Sequence, residues 1–119
     1  MSRSAKITAF FGDGDHDFAL RIGECEELQE LLDCGLAESL QRVEAVRVND
    51  IRQVLRLGLI GGGMSKEDAF RLVTRHLTPG DLGACAVLAA RVVGAAIVGS
   101  PEELLGELKG ERTDGPRSP

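Results

Sequence analysis

Residues 81–99 read DLGACAVLAARVVGAAIVG, and between Asp81 and Ser100 the only charge is Arg91. Thr78 supplies an N-cap, Pro79 a first helical residue and Asp81 an acid near the positive end of the helix dipole. Gly99 followed by Ser100-Pro101 marks the stop. The stretch predicts one helix that is apolar nearly all round, and such a helix is buried on most sides. Its surface alternates small residues (Ala84, Ala86, Ala89, Ala90, Gly94, Ala95, Ala96) with Leu82, Leu88, Val92, Val93, Ile97 and Val98. A membrane span needs a similar length. Arg91 at mid-helix and the lack of an aromatic or basic belt favour the central helix of a globular domain instead.

The rest of the composition fits that reading. Of 119 residues 43% are hydrophobic and 28% charged, with a net charge of −5. Four Phe with no Trp or Tyr leave an aliphatic, alanine-rich core. Dispersed Lys and Arg on an acidic chain argue against nucleic acid, which demands clustered cations, and the scarcity of aromatics argues against base stacking. Cys25, Cys34 and Cys85 have no framework spacing and read as reduced thiols. The first residues lack a signal-peptide core, so a cytoplasmic protein is expected.

Working outward from the long helix, residues 5–11 alternate with Ala5, Ile7, Ala9 and Phe11 on one face, while Phe10 breaks the polar side. GDGDH, residues 12–16, reads as a turn, and Phe18, Leu20 and Ile22 alternate after it, which predicts a β-hairpin. After Gly23 the period lengthens. Cys25, Leu28, Leu31 and Leu32 form a helical stripe, with Glu24, Glu26, Glu27 and Glu30 facing out. A short helix with Leu36, Leu40 and Val43 follows. A third helix, capped by Asn49, shows Ile51, Val54, Leu55 and Gly58, and Gly61-Gly62-Gly63 stops it. Ser65 with Asp68 caps a fourth, presenting Ala69, Leu72, Val73 and His76. Ser100-Pro101-Glu102-Glu103 starts a last short helix carrying Leu104, Leu105 and Leu108, and residues 109–119 read as a disordered tail.

Three patterns invite a chemical reading. Asp13, Asp15 and Asp17, with Glu24 as the twelfth residue, imitate a calcium loop. Phe18 stands where that loop needs glycine, so a hairpin turn is preferred. GLIGGGMS, residues 58–65, has the glycine spacing of a phosphate loop, but Met64 replaces the lysine and a helix precedes it. It reads as a helix–helix linker. His16 and His76 lack sequence-local partners, and Cys25 and Cys34 lie on nearly opposite helix faces. No catalytic residue, metal or cofactor is expected.

The arrangement itself is informative. KITAFFGDGDHDFALRI (residues 6–22) runs into GECEELQELLDCGL (23–36), then NDIRQVLRLGLIGGG (49–63) and SKEDAFRLV (65–73). Over about residues 5–77 this resembles the small tail proteins of gene transfer agents and long-tailed phages, grouped with tail assembly chaperones and also labelled tail tube-like. The Ala-rich helix from Leu82 is a looser match. The resemblance implies a non-enzymatic protein that keeps the tape-measure protein soluble while tail tube protein assembles around it, or else a structural tube component. A small metal- or ligand-binding regulator is the rival from another class.

Together these readings predict an α+β fold, an N-terminal β-hairpin packed on a bundle of four to five helices, with one domain over residues 1–108. The expected partners are the tape-measure and tail tube proteins, with homo-oligomers allowed and neither nucleic acid nor membrane involved. A hairpin edge free for strand addition and an amphipathic helix beside it make Ile7, Thr8, Phe10, Arg21, Leu28 and Leu31 the candidate partner-binding residues.

Overall fold

A computed structural model describes residues 4–100. The order is β1 (Ile7–Phe11), β2 (Gly14–Phe18), α1 (Ile22–Leu32), α2 (Leu36–Glu44), α3 (Val48–Gly61), α4 (Lys66–His76) and α5 (Leu82–Val98). This is the expected α+β arrangement, a hairpin on five helices. The short helix expected to end at Leu108 and the tail at 109–119 lie outside the described residues.

β1 and β2 pair antiparallel, with Ile7 opposite Phe18 and Phe11 opposite Gly14. The connection is therefore only Gly12-Asp13, with Gly12 at φ 71°, the placement a type II′ hairpin turn requires. The five-residue turn expected at 12–16 is corrected: Gly14, Asp15 and His16 already belong to β2. The second strand also stops early. Ile22 opens α1 with its side chain 76% exposed instead of continuing the strand's apolar face.

The hairpin turns Ile7, Phe11 and Phe18 inward onto the bundle. α3 is the hub, in contact with β2, α1, α2, α4 and α5. Ile51, Val54, Leu55, Leu57, Gly58 and Leu59 are buried along it. The expectation that the helix beginning at residue 81 is buried on most sides is corrected in part. α5 buries Cys85, Ala86, Leu88, Ala89, Val92, Val93 and Ala95, but Val87, Ile97 and Val98 face solvent. Its start also shifts. Asp81 donates its N–H to Thr78 across a turn holding Pro79 and a positive-φ Gly80, so Asp81 and not Thr78 is the cap.

Two connections are held by polar contacts. Ser65 accepts the Asp68 N–H at 3.1 Å, as expected for the cap of α4. Between α2 and α3, buried Asp50 meets Arg42 Nε at 2.8 Å, off the hydrogen-bonding line, and Arg47 Nε at 3.4 Å. Arg47, not Asn49, is the cap of α3; Asn49 lies inside the helix and accepts from Arg52 and Gln53. α2 ends in a Schellman motif, with Val46 N–H donating to Val43 and Arg47 N–H to Arg42. Its left-handed position is usually glycine, yet here it holds Val46 at φ 61°.

Candidate partner-binding surface

The outer hairpin face carries Thr8 and Phe10 of β1 opposite Asp17 and Asp15 of β2, with Lys6 just before β1. Thr8 Oγ1 donates to Asp17 at 2.7 Å, and Lys6 Nζ lies 3.4 Å from the same carboxylate. The Thr8 hydrogen bond, then Lys6, holds Asp17 below the usual carboxylate range. Asp13 is held low as well, chiefly by its 2.7 Å contact with His16. Two of the three aspartates of the calcium-like pattern are thus engaged locally. Among the described residues no group of three His, Cys, Asp or Glu could hold a metal ion.

Phe10 stands apart from this polar lattice, 69% exposed at the turn end of β1. Beside it lies a depression of about 270 Å³ lined by Phe11, Gly12, His76, Asp81, Ala84 and Leu88. Phe11 itself is packed edge-on against Phe18 at 6.2 Å and His76 at 6.0 Å between centroids. The hairpin tip thus shows one aromatic ring to solvent and hides the next.

On α1, Arg21 donates to Glu24 through Nε and Nη2 at 2.8 and 2.7 Å, and Glu24 accepts the Arg21 backbone N–H at 2.9 Å. These bonds close the first turn and draw Glu24 inward, correcting its expected outward position. Glu26, Glu27 and Glu30 do face out, and Leu31 is 47% exposed among them. Burial pushes the Cys25 and Cys85 thiols above their ordinary value, so both resist ionisation.

Of the six candidate residues, Thr8, Phe10, Arg21 and Leu31 reach the surface. Ile7 and Leu28 do not: at 1% and 0% exposure they belong to the core, because their side chains face α5 and α3 rather than water. The structure also separates the remainder into two areas. The hairpin rests on α3 and α5, whereas α1 packs on α3 and α2.

A third surface went unread in the sequence. Gly83, Val87, Ala90 and Arg91 of α5 face Leu40, Glu44 and Val46 across an open groove of about 650 Å³. Its signal was available in the four-then-three spacing of residues 83, 87, 90, 94 and 97. A helix apolar all round offered no contrast by which to see it.

These features define a small α+β domain, a hairpin on a helical bundle that displays apolar side chains on an acidic exterior. The chain belongs to the family described as phage tail tube protein, GTA-gp10, which matches residues 4–99. The match takes in every element from β1 to α5, including the helix whose likeness is looser in sequence. The family is one of phage and gene transfer agent tails, so the chain has a role in tail morphogenesis and its partners are tail proteins. No curated protein and no solved structure matches the chain. No helix among the described residues is long and apolar enough to cross a membrane.

Proposed function

We propose that the protein is a non-enzymatic tail assembly chaperone that binds apolar segments of the tape-measure and tail tube proteins in the host cytoplasm. The observation that carries this reading is Phe10, 69% exposed on β1 of a two-stranded hairpin that pairs with no further strand among the described residues. A large aromatic on a free strand edge contributes little to a lone domain and much to an added strand or helix. Thr8 flanks it on the same face. Arg21, Ile22 and Leu31 offer a second contact area along α1.

Co-expression with the tape-measure and tube proteins of the same tail cluster, followed by pull-down, tests the reading. Capture of either that weakens with Phe10→Lys supports it. Failure to capture both at micromolar concentration overturns it.

The family description itself favours a second reading, a structural component of the tail tube. The β1 edge could then pair between ring subunits. Mass spectrometry of purified tails separates the two: a chaperone is absent or substoichiometric, and a tube component is present in ring multiples.

A further inference from the structure

The outer side of α5 carries a seam that the described fold leaves uncovered. Gly83, Val87, Ala90, Gly94 and Ile97 recur at steps of four and three, the spacing by which one helix packs along another. Val87 is 63% exposed, Ile97 45% and the adjacent Val98 65%. A Cβ at Gly83 or Gly94 would meet nothing within 4 Å, so another backbone can approach closely there. At about 100° per residue, Ala86 and Arg91 flank the seam on opposite sides. Ala86 borders the groove towards α2, whose wall is Leu40, Glu44 and Val46.

We propose that this seam binds a second copy of the chain, with the two α5 helices side by side and parallel about a two-fold axis. Charge is the first argument. The molecule carries −5, but Leu82–Val98 contains no carboxylate, so two acidic copies meet with least repulsion on this face. Direction is the second. Glu44 and Arg91 border the same groove. A parallel two-fold brings Arg91 of each copy to the Glu44 side of the other and forms two equivalent pairs. An antiparallel axis would place both Arg91 side chains on one side.

Area is the third argument, and it sets the strength. A 17-residue helix is roughly 25 Å long. With the α2 wall included, each copy would bury on the order of 400–500 Å², below the roughly 800 Å² of a standard interface. The dimer is therefore weak and concentration-dependent. This inference is independent of the chaperone reading, since it uses neither the hairpin nor α1.

Sedimentation of the full chain from about 10 μM to about 1 mM should show a reversible monomer–dimer equilibrium. Glu44→Arg and Arg91→Glu should each weaken it about fivefold or more, and the double swap should restore it. Val87→Asp should give a monomer with an unchanged thermal melt, since Val87 is mostly exposed. Ile97→Cys should cross-link to its symmetry mate under mild oxidation, above the background of the native Cys25, Cys34 and Cys85. A chain that stays monomeric throughout overturns the proposal, as does a dimer indifferent to Val87→Asp or unrescued by the double swap. A monomer in which Val87→Asp instead abolishes capture of a tail protein assigns the seam to that protein and also overturns it.

Discussion

The backbone N–H of Ala19 donates to the carbonyl of Gly58 at 2.9 Å, so the chain leaving β2 is tied to the wall of a helix. The approach is possible because α3 lacks side chains where the hairpin lands. A Cβ on Gly61 would collide with the Ala19 carbonyl, and one on Gly62 with the Asp17 carbonyl. Gly58 is tight as well, with Val92 Cγ1 at 3.1 Å and Phe18 Cδ2 at 3.3 Å from where its Cβ would be. Gly61 and Gly62 thus form a docking face for the hairpin, a role that the reading of residues 58–65 as a helix–helix linker did not include.

Alanine at Gly61 should therefore reverse the usual sign of a helix substitution. Replacing an interior helical glycine by alanine ordinarily gains up to about 1 kcal/mol. Here the methyl group meets backbone that cannot rotate away, and a loss of roughly 2 kcal/mol or more is expected. Gly23→Ala on α1, where nothing lies within 4 Å of the new Cβ, should be neutral or stabilising. Urea midpoints of the two variants against the parent check the contrast, and equal midpoints would count against hairpin docking at Gly61.

That contrast also marks what could be read in advance. Ile7, Phe11 and Phe18 were legible because a strand writes burial as a period of two, and Ile51, Val54 and Leu55 because a helix writes it as 3.6. The glycines of α3 were not, since their partner is a backbone far away in sequence. Leu28 and Leu31 share one apolar stripe, and only packing shows that the first is core and the second surface. The exposed side of α5 was hidden for a related reason: its residues are small and apolar whether they face protein or water. Glu24 faced the wrong way in prediction because its bonds to Arg21 outweigh the pattern of its acidic neighbours.

The Asp50–Arg42 contact should behave as a buried pair broken from one side. Asp50 is 1% exposed, and Arg42 Nε has no hydrogen-bond partner to replace it. Asp50→Asn keeps the shape but leaves Arg42 without a counter-charge, at an expected cost of about 2–4 kcal/mol. Asp50 also lies in the first turn of α3, where a negative charge is favoured. A melting temperature within about a degree of the parent would show that the contact contributes little.

Acid should weaken the fold through the carboxylates held below their ordinary range. Glu24 is lowered by its hydrogen bonds from Arg21, against a desolvation effect in the other direction. Asp17 is lowered by Thr8 and then Lys6, and Asp68 by Arg71 and then Ser65. A carboxylate whose folded value lies below its unfolded value, near 4, stabilises fully above that unfolded value. The contribution is lost as pH falls through it towards the folded value. Melting temperature should therefore be flat above about pH 5 and fall below pH 4. Glu24→Gln should lower the plateau and make the acid decline shallower; an unchanged slope would remove Glu24 from the explanation.

Leu31→Glu should separate binding from folding. Leu31 is 47% exposed beside Glu27 and Glu30, so a further charge there should change stability by no more than about 0.5 kcal/mol. Leu28→Glu, three residues earlier on the same helix, places a charge at a fully buried site and should prevent folding. If α1 contacts a tail partner, Leu31→Glu lowers capture in pull-down at an unchanged melting temperature. Normal capture would confine the partner surface to the hairpin.

Val46 offers the sharpest separation of stability from association. It occupies the left-handed position of the Schellman turn after α2, where a β-branched residue costs roughly 1–2 kcal/mol relative to glycine. The monomer recovers little of that, because the side chain is 40% exposed and lines the open groove beside Leu40 and Ala86. Val46→Gly keeps both turn hydrogen bonds and relieves the strain, so the isolated chain should gain about 1 kcal/mol and melt several degrees higher. Should the groove form part of the α5 interface, the same change removes apolar area from it, and sedimentation should show a weaker dimer of a more stable protomer. Opposite signs in the two measurements would identify Val46 as an interface residue retained at a cost to the fold, whereas a stabilised chain with undiminished self-association would leave the strained valine without a role at that surface.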